Sequence, residues 1–182
     1  MDNKLNSAIK FLVFILCLTT FAFTTSAQKK KTTTSKKTPT KTTTATSTNS
    51  SAEIKLGAEK VSVQIKNVSK FIFILGGVAK DIEAIDADIR ARKITRQASI
   101  DQNNQAKQSV VTAIKNLRAG IIALEEEFRT KPALKVYAVR VEGTSNLVAD
   151  AEIQAGGGQL TESGKTLLMV VERLADALVA LP

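Results

Sequence analysis

Ile54-Lys-Leu-Gly-Ala-Glu-Lys-Val-Ser-Val-Gln-Ile-Lys-Asn-Val-Ser-Lys-Phe-Ile-Phe-Ile-Leu-Gly-Gly-Val-Ala-Lys-Asp-Ile82 places an apolar residue at alternating steps of four and three: Ile54, Ala58, Val61, Ile65, Val68, Ile72, Leu75, Ala79 and Ile82. That spacing returns side chains to one side of an α-helix and makes a coiled-coil seam sustained over about four heptads. Phe71, Val78 and Ile85 add a neighbouring stripe, which widens the apolar face to that of a bundle helix. Ile85 and Ile89 continue it after two successive steps of three, a skip that locally overwinds such a seam. The pattern predicts one helix from Ser51 to Arg92, roughly 60 Å long at about 1.5 Å per residue. Gly76-Gly77 falls at its most apolar point, Phe71–Ala79. A glycine pair there reads first as a place where another helix packs closely, and also as a kink or hinge.

Downstream, Lys93–Ala98 is polar enough for a turn, and Ser99 or Asp101 is placed to cap the next helix. Its seam runs Val110, Ile114, Leu117, Ile121, Leu124 and Phe128. Traced backwards, that seam meets Lys107 and Asn103, polar residues where a core belongs. The preferred reading is that these turns project beyond the core; the other is that Asn103 and Lys107 set the register. Pro132 ends the helix by denying the preceding residue helical geometry. Leu134, Tyr137, Val141, Thr144, Val148 and Ala151 form a helical stripe, preferred over a strand at Val136–Val141 because no second strand exists to pair with it. Gly156, Gly157 and Gly158 are a turn, a hinge or a tight crossing. Leu160, Leu167, Val170, Val171, Leu174, Ala177, Leu178 and Leu181 mark the last helix.

The expected fold is therefore all-α: an antiparallel four-helix bundle over residues 53–182 with a long first helical hairpin. A three-helix antiparallel coiled coil, with 144–181 continuous through the glycines, is the alternative.

The first 27 residues read as a secretory signal. Lys4 and Lys10 make a basic n-region, Phe11–Phe23 an apolar core, and Thr25-Ser26-Ala27 a small-residue cleavage site before Gln28. This leader resembles bacterial export signals with glutamine at the mature N-terminus, which implies a bacterial envelope location, periplasmic or secreted. An uncleaved N-terminal anchor is the alternative, because Lys29, Lys30 and Lys31 directly after the site resist translocation. From Gln28 to Ala52 the chain is almost wholly Lys, Thr and Ser, with too little apolar surface to offset the entropy of ordering; a disordered tail is expected.

Charge divides along the same boundary. The whole chain carries +9, yet residues 28–52 alone hold six lysines and no acid, while residues 53–182 balance at +2. Lys29, Lys30, Lys31, Lys36, Lys37 and Lys41 thus form either a solvated spacer or a salt-sensitive arm for a polyanion, such as envelope glycans or anionic lipid headgroups after export. No specific nucleic-acid site is expected, as aromatic stacking surfaces are scarce.

Composition narrows the chemistry. Histidine and tryptophan are absent, and the single cysteine, Cys17, lies inside the leader. Disulfides, thiolate chemistry and the usual neutral-pH base are excluded from the processed chain. Neither a metal nor another cofactor is expected, since the di-iron pattern of four-helix bundles needs Glu-x-x-His pairs. Glu125-Glu126-Glu127 spreads over roughly 200° of a helix, and Glu125–Arg129 and Glu127–Lys131 are favourable i,i+4 pairs. Asp81, Glu83, Asp86 and Asp88 sit at rigid helical spacing rather than in a cation loop, with Asp86–Arg90 and Asp88–Arg92 as i,i+4 pairs. Ser163-Gly164-Lys165-Thr166 ends like a phosphate loop, but Gln159 occupies the position of that loop's first glycine. Gly164 is better read as a point of close helix approach and Thr161 as a cap for the last helix.

These readings point to an exported, non-enzymatic helical interaction or envelope-associated structural protein, with self-association through helix seams also open. A membrane-active helical protein that exposes residues 71–79 by opening at Gly76-Gly77 is the alternative. An enzyme built on carboxylates and lysines needs Asp81, Asp88 or the Glu125 cluster in a cleft beside a base.

Overall fold

The apolar seam at Ile54–Ile82 lies on a single helix, α1 (Ala45–Arg90). A computed structural model describes residues 45–182, with side chains from Ser50 onward. The leader, its Ala27–Gln28 junction and the six lysines between Lys29 and Lys41 lie outside the described residues. α1 begins at Ala45, six residues before the expected Ser51 and inside the segment expected to be a disordered tail. Four further helices follow: α2 (Gln97–Thr130), α3 (Ala138–Val141), α4 (Thr144–Gly156) and α5 (Leu160–Val179). A single 3₁₀ turn, Lys135–Tyr137, precedes α3. Every regular element among the described residues is helical, so the all-α expectation holds.

One apolar cluster joins the long helices. α1 contributes Val61, Val68, Phe71, Leu75, Ala79 and Ile82; α2 contributes Val110, Ile114, Ile121, Leu124 and Phe128. The stripe from Leu134 to Ala151 is buried at Leu134, Val141, Thr144, Val148 and Ala151, although the chain bends twice beneath it. α5 adds Leu160, Leu167, Val170, Leu174 and Ala177. Pro132 follows the end of α2 as expected, with Lys131 already extended at ψ 125°.

The glycines sort differently from their sequence reading. Gly156-Gly157-Gly158 is a turn: α4 ends at Gly156, Gly158 takes φ +79°, and α5 starts at Leu160. The alternative with 144–181 as one helix is thereby overturned. Gly143 likewise takes φ +79° between α3 and α4, a region that side chains rarely adopt. Gly76 and Gly77 are exposed, and a methyl group on either would meet nothing within 4 Å. The close-packing reading of that pair is therefore corrected, and α1 runs through both without interruption. Close approach occurs instead at Gly57, where an added Cβ would come within 2.7 Å of Leu134 Cδ2. At Gly164 the expectation of a close neighbour holds, with Leu75 Cδ2 at 3.6 Å from the corresponding point.

Glycine substitutions test this sorting. Gly76→Ala and Gly77→Ala exchange the poorest non-proline helix former for the best at open sites, and each raises stability by about 1 kcal/mol. Gly57→Leu, forced against the fully buried Leu134, lowers it. Urea unfolding followed by far-ultraviolet circular dichroism reads all three.

Candidate functional site

The charged side chains between the helices form the most organised polar feature among the described residues. α4 and α5 start after glycine-bearing turns with Gly143 and Gln159 at their caps, and neither cap residue supplies a side-chain hydrogen bond. The first amides of a helix have no partner within it, and burial makes such orphans costly. A glutamate from a different helix meets each need. Glu125 on α2 accepts the Ser145 N–H at 2.8 Å with Oε1 and the Ser145 hydroxyl at 2.7 Å with Oε2. Glu83 on α1 accepts the Thr161 N–H at 2.8 Å with Oε1 and the Thr161 hydroxyl at 2.8 Å with Oε2. Each carboxylate also lies where the helix dipole favours negative charge.

The expectation that Thr161 caps α5 is corrected: it is the second helical residue, and its hydroxyl donates to Glu83. Ser99 and Asp101 do not cap α2 either, because α2 starts at Gln97 after Arg96, with no capping side chain. Asp101 Oδ1 accepts from Gln97 Nε2 at 2.8 Å.

A second polar node lies between α1 and α2. Asp86 Oδ1 accepts from Asn103 Nδ2 at 3.0 Å and from Lys107 Nζ at 2.7 Å. Asn103 is only 4% exposed. Its orientation follows from chemistry, since the amide must turn its donor toward the carboxylate. Asn103 Oδ1 is left buried with no hydrogen-bond partner among the described residues. The early turns of α2 therefore do not project: Asn103 and Lys107 face α1. The reading of Asp86 as a partner of Arg90 is corrected with it, and Asp88 pairs with Lys93 at 3.1 Å rather than with Arg92. For Asp86 the cause is burial. An i,i+4 partner is available on any exposed helix face, but a half-buried carboxylate is better compensated by a donor that arrives from the neighbouring helix. For Asp88 it is the end of α1, since the chain turns at Arg92 and brings Lys93 back over the last turn.

The triple glutamate divides by direction, as its angular spread requires. Glu125 caps α4, Glu126 pairs with Arg129 at 3.2 Å on the exposed side, and Glu127 takes Lys60 from α1 together with Lys131 from the end of its own helix. The expected Glu127–Lys131 pair is present, whereas Arg129 is engaged by Glu126 and not by Glu125. Burial pushes the Glu127 carboxyl up, but hydrogen bonds and charge from Lys131 and Lys60 outweigh it and hold the group below the ordinary value of 4.5.

Ser163 is buried, and its hydroxyl donates to the Ala151 carbonyl at 2.8 Å. Lys165 points outward to Glu162 at 2.7 Å, so the Gly-Lys-Thr sequence is part of an ordinary helix. Asp81 is exposed. Among the described residues no group of histidine, cysteine and carboxylate side chains is placed to hold a metal ion. Lys115, Arg118, Ala119 and Ile122 of α2 and Glu152 of α4 line a shallow, open depression of about 230 Å³. Within it Glu152 lies 3.8 Å from Lys115 and 3.5 Å from Arg118. Phe71, Leu75 and Ala79 are buried, while Phe73 between them is 85% exposed. Comparison with protein-family models, with curated proteins and with solved structures finds no match to this chain.

Two measurements follow from this network. Glu83→Ala and Glu125→Ala each strand a pair of donors and cost about 1–2 kcal/mol, in the range of lost helix caps. A double-mutant cycle of Glu83→Ala with Thr161→Val returns a coupling energy if the contact is formed, and none otherwise. Glu127→Gln tests the pH response. A depressed folded value means that the carboxylate contributes stability that is complete above the unfolded value near 4.5 and is lost as pH falls through the folded value. The stability gap between the native chain and Glu127→Gln is thus widest near neutral pH and narrows below about 4.5.

Proposed function

We propose that α1, α2, α4 and α5 form an antiparallel four-helix bundle, and that the protein is an exported, non-enzymatic interaction or envelope-associated structural module. The order of the pairings supports the bundle. Along α1 and α2, Asp86 meets Asn103, and Lys60 meets Glu127. Along α2 and α4, Glu125 meets Ser145, and Arg118 meets Glu152. Along α1 and α5, Glu83 meets Thr161, and Leu75 faces Gly164. In each pair one number falls as the other climbs. Four helices joined in that cycle enclose a single core.

How the acids are used carries the functional reading. Glu83, Asp86, Glu125, Glu127 and Glu152 are half-buried carboxylates that a lysine–carboxylate enzyme would draw on, and each is engaged in holding one helix to another. A scaffold that commits its polar groups to its own assembly presents its surface and its tail to partners. The tail, with Lys29, Lys30, Lys31, Lys36, Lys37 and Lys41 and no acid from Gln28 to Ala52, is an arm suited to envelope polyanions.

Envelope fractionation tests this. The native chain is expected in the envelope fraction, starting at Gln28, and is released by high salt. A variant with the six tail lysines replaced by glutamine is expected in the soluble fraction at low salt. A cytoplasmic pool with its leader intact, or retention that ignores both salt and the lysines, overturns the reading.

A further inference from the structure

α1 carries a second periodic stripe, on its solvent side. Val63, Lys66, Lys70, Phe73, Gly77 and Lys80 recur at alternating steps of three and four, and all are exposed. At 3.6 residues per turn they fall within a sector of roughly 100°. An 85% exposed phenylalanine in the middle of a 46-residue helix is an unusual use of a large apolar ring. The charge beside it is one-sided, since no acid occurs between Lys60 and Lys80, and the exposed Glu59 and Asp81 stand only at the two ends of the stripe. Lys60 is engaged by Glu127, whereas Lys66, Lys70 and Lys80 pair with no carboxylate among the described residues.

The heptad spacing raises the question of a second copy, and charge decides against it. Pairing two such stripes presses Lys66 and Lys70 of both copies into a stretch of seam that carries no acid of its own, which costs both desolvation and repulsion. A surface that is itself anionic, with an apolar layer just beneath, meets both properties at once. We infer that this face of α1 docks along the surface of an anionic phospholipid bilayer, with Lys66, Lys70 and Lys80 at the headgroup phosphates and the Phe73 ring entering the boundary below them. The bundle stays closed in this arrangement, because Phe71, Leu75 and Ala79 remain in the core while Phe73 makes the contact. The helix lies on the bilayer, and no described helix is long and apolar enough to cross a membrane. The inference rests on the reading of the protein as held near polyanionic surfaces and names one such surface. The lysine tail that precedes α1 adds the second weak signal that stable anchoring by a surface helix requires.

The chain contains no tryptophan, so Phe73→Trp places a single reporter at the proposed contact. In the full chain, its emission is expected to shift to the blue with vesicles of mixed phosphatidylcholine and phosphatidylglycerol, to stay unshifted with phosphatidylcholine alone, and to return on addition of salt. Adding Lys66→Gln and Lys70→Gln weakens the lipid titration about fivefold for each lysine, roughly 30-fold together. Circular dichroism of each variant checks that the helices persist. If the vesicles sediment the Phe73→Trp variant while its indole emission is unchanged, this face makes no contact; the inference falls and the tail reading stands. An equal shift with neutral vesicles, or the same shift with dextran sulfate and no lipid, also overturns it. A shift that survives replacement of the six tail lysines by glutamine supports the face and removes the tail.

Discussion

Two glutamates supply what α4 and α5 lack. Each of these helices begins after a glycine-bearing turn and offers free amides that its own cap residue does not satisfy. Glu125 reaches from α2 and Glu83 from α1, and each takes both the backbone and the hydroxyl of the second helical residue. The long helices thus close the ends of the short ones. A cap from the same chain segment stabilises its own helix alone. A cap from another helix also fixes where the two stand, because a bidentate carboxylate tolerates little sliding.

The other polar contacts between helices act in the same sense. Coiled-coil seams of similar side chains are prone to slip by a heptad, since each register buries nearly the same apolar area. Asp86 with Asn103 and Lys107 sits near one end of the α1–α2 pair, and Lys60 with Glu127 lies well along it. A slipped register takes Asn103 and Lys107 away from Asp86 and leaves Glu127 with Lys131 of its own helix as its only cation, so the half-buried Asp86 loses most. Gly57 against Leu134 adds a steric mark, because a side chain at 57 would displace the buried Leu134 methyls. Apolar burial drives the assembly, while these few contacts select one alignment of it.

α1 is the element that connects architecture to surface. Its inner seam belongs to the core, while its outer stripe carries lysines and an uncovered phenylalanine. Exposed Gly77 belongs with that outer face, and open space surrounds it. The lysine-rich tail enters this same helix at its start, so the two basic features of the protein are contiguous along the sequence.

Periodicity alone determined that the chain is helical and which faces of the long helices are buried, though neither the start of α1 at Ala45 nor the break at Gly143 was in it. The seams of α1, α2 and α5 and the stripe from Leu134 to Ala151 supply the buried core, with Ile54, Ile65, Ile72, Leu117 and Tyr137 partly buried against it, because the helical repeat dictates which side chains share a face whatever that face later meets. Partner choice was not legible in the same way. Asn103, Lys107, Asp86 and the caps at Thr161 and Ser145 depend on residues that are distant in sequence, and one-dimensional spacing ranks only near neighbours such as Asp86 and Arg90. The glycines show the same division. A missing side chain reads alike at Gly57, Gly76 and Gly158, yet the first faces a leucine, the second faces solvent, and the third adopts a positive φ in a turn. What stands opposite a residue is set by how helices dock, and only the tertiary structure decided that.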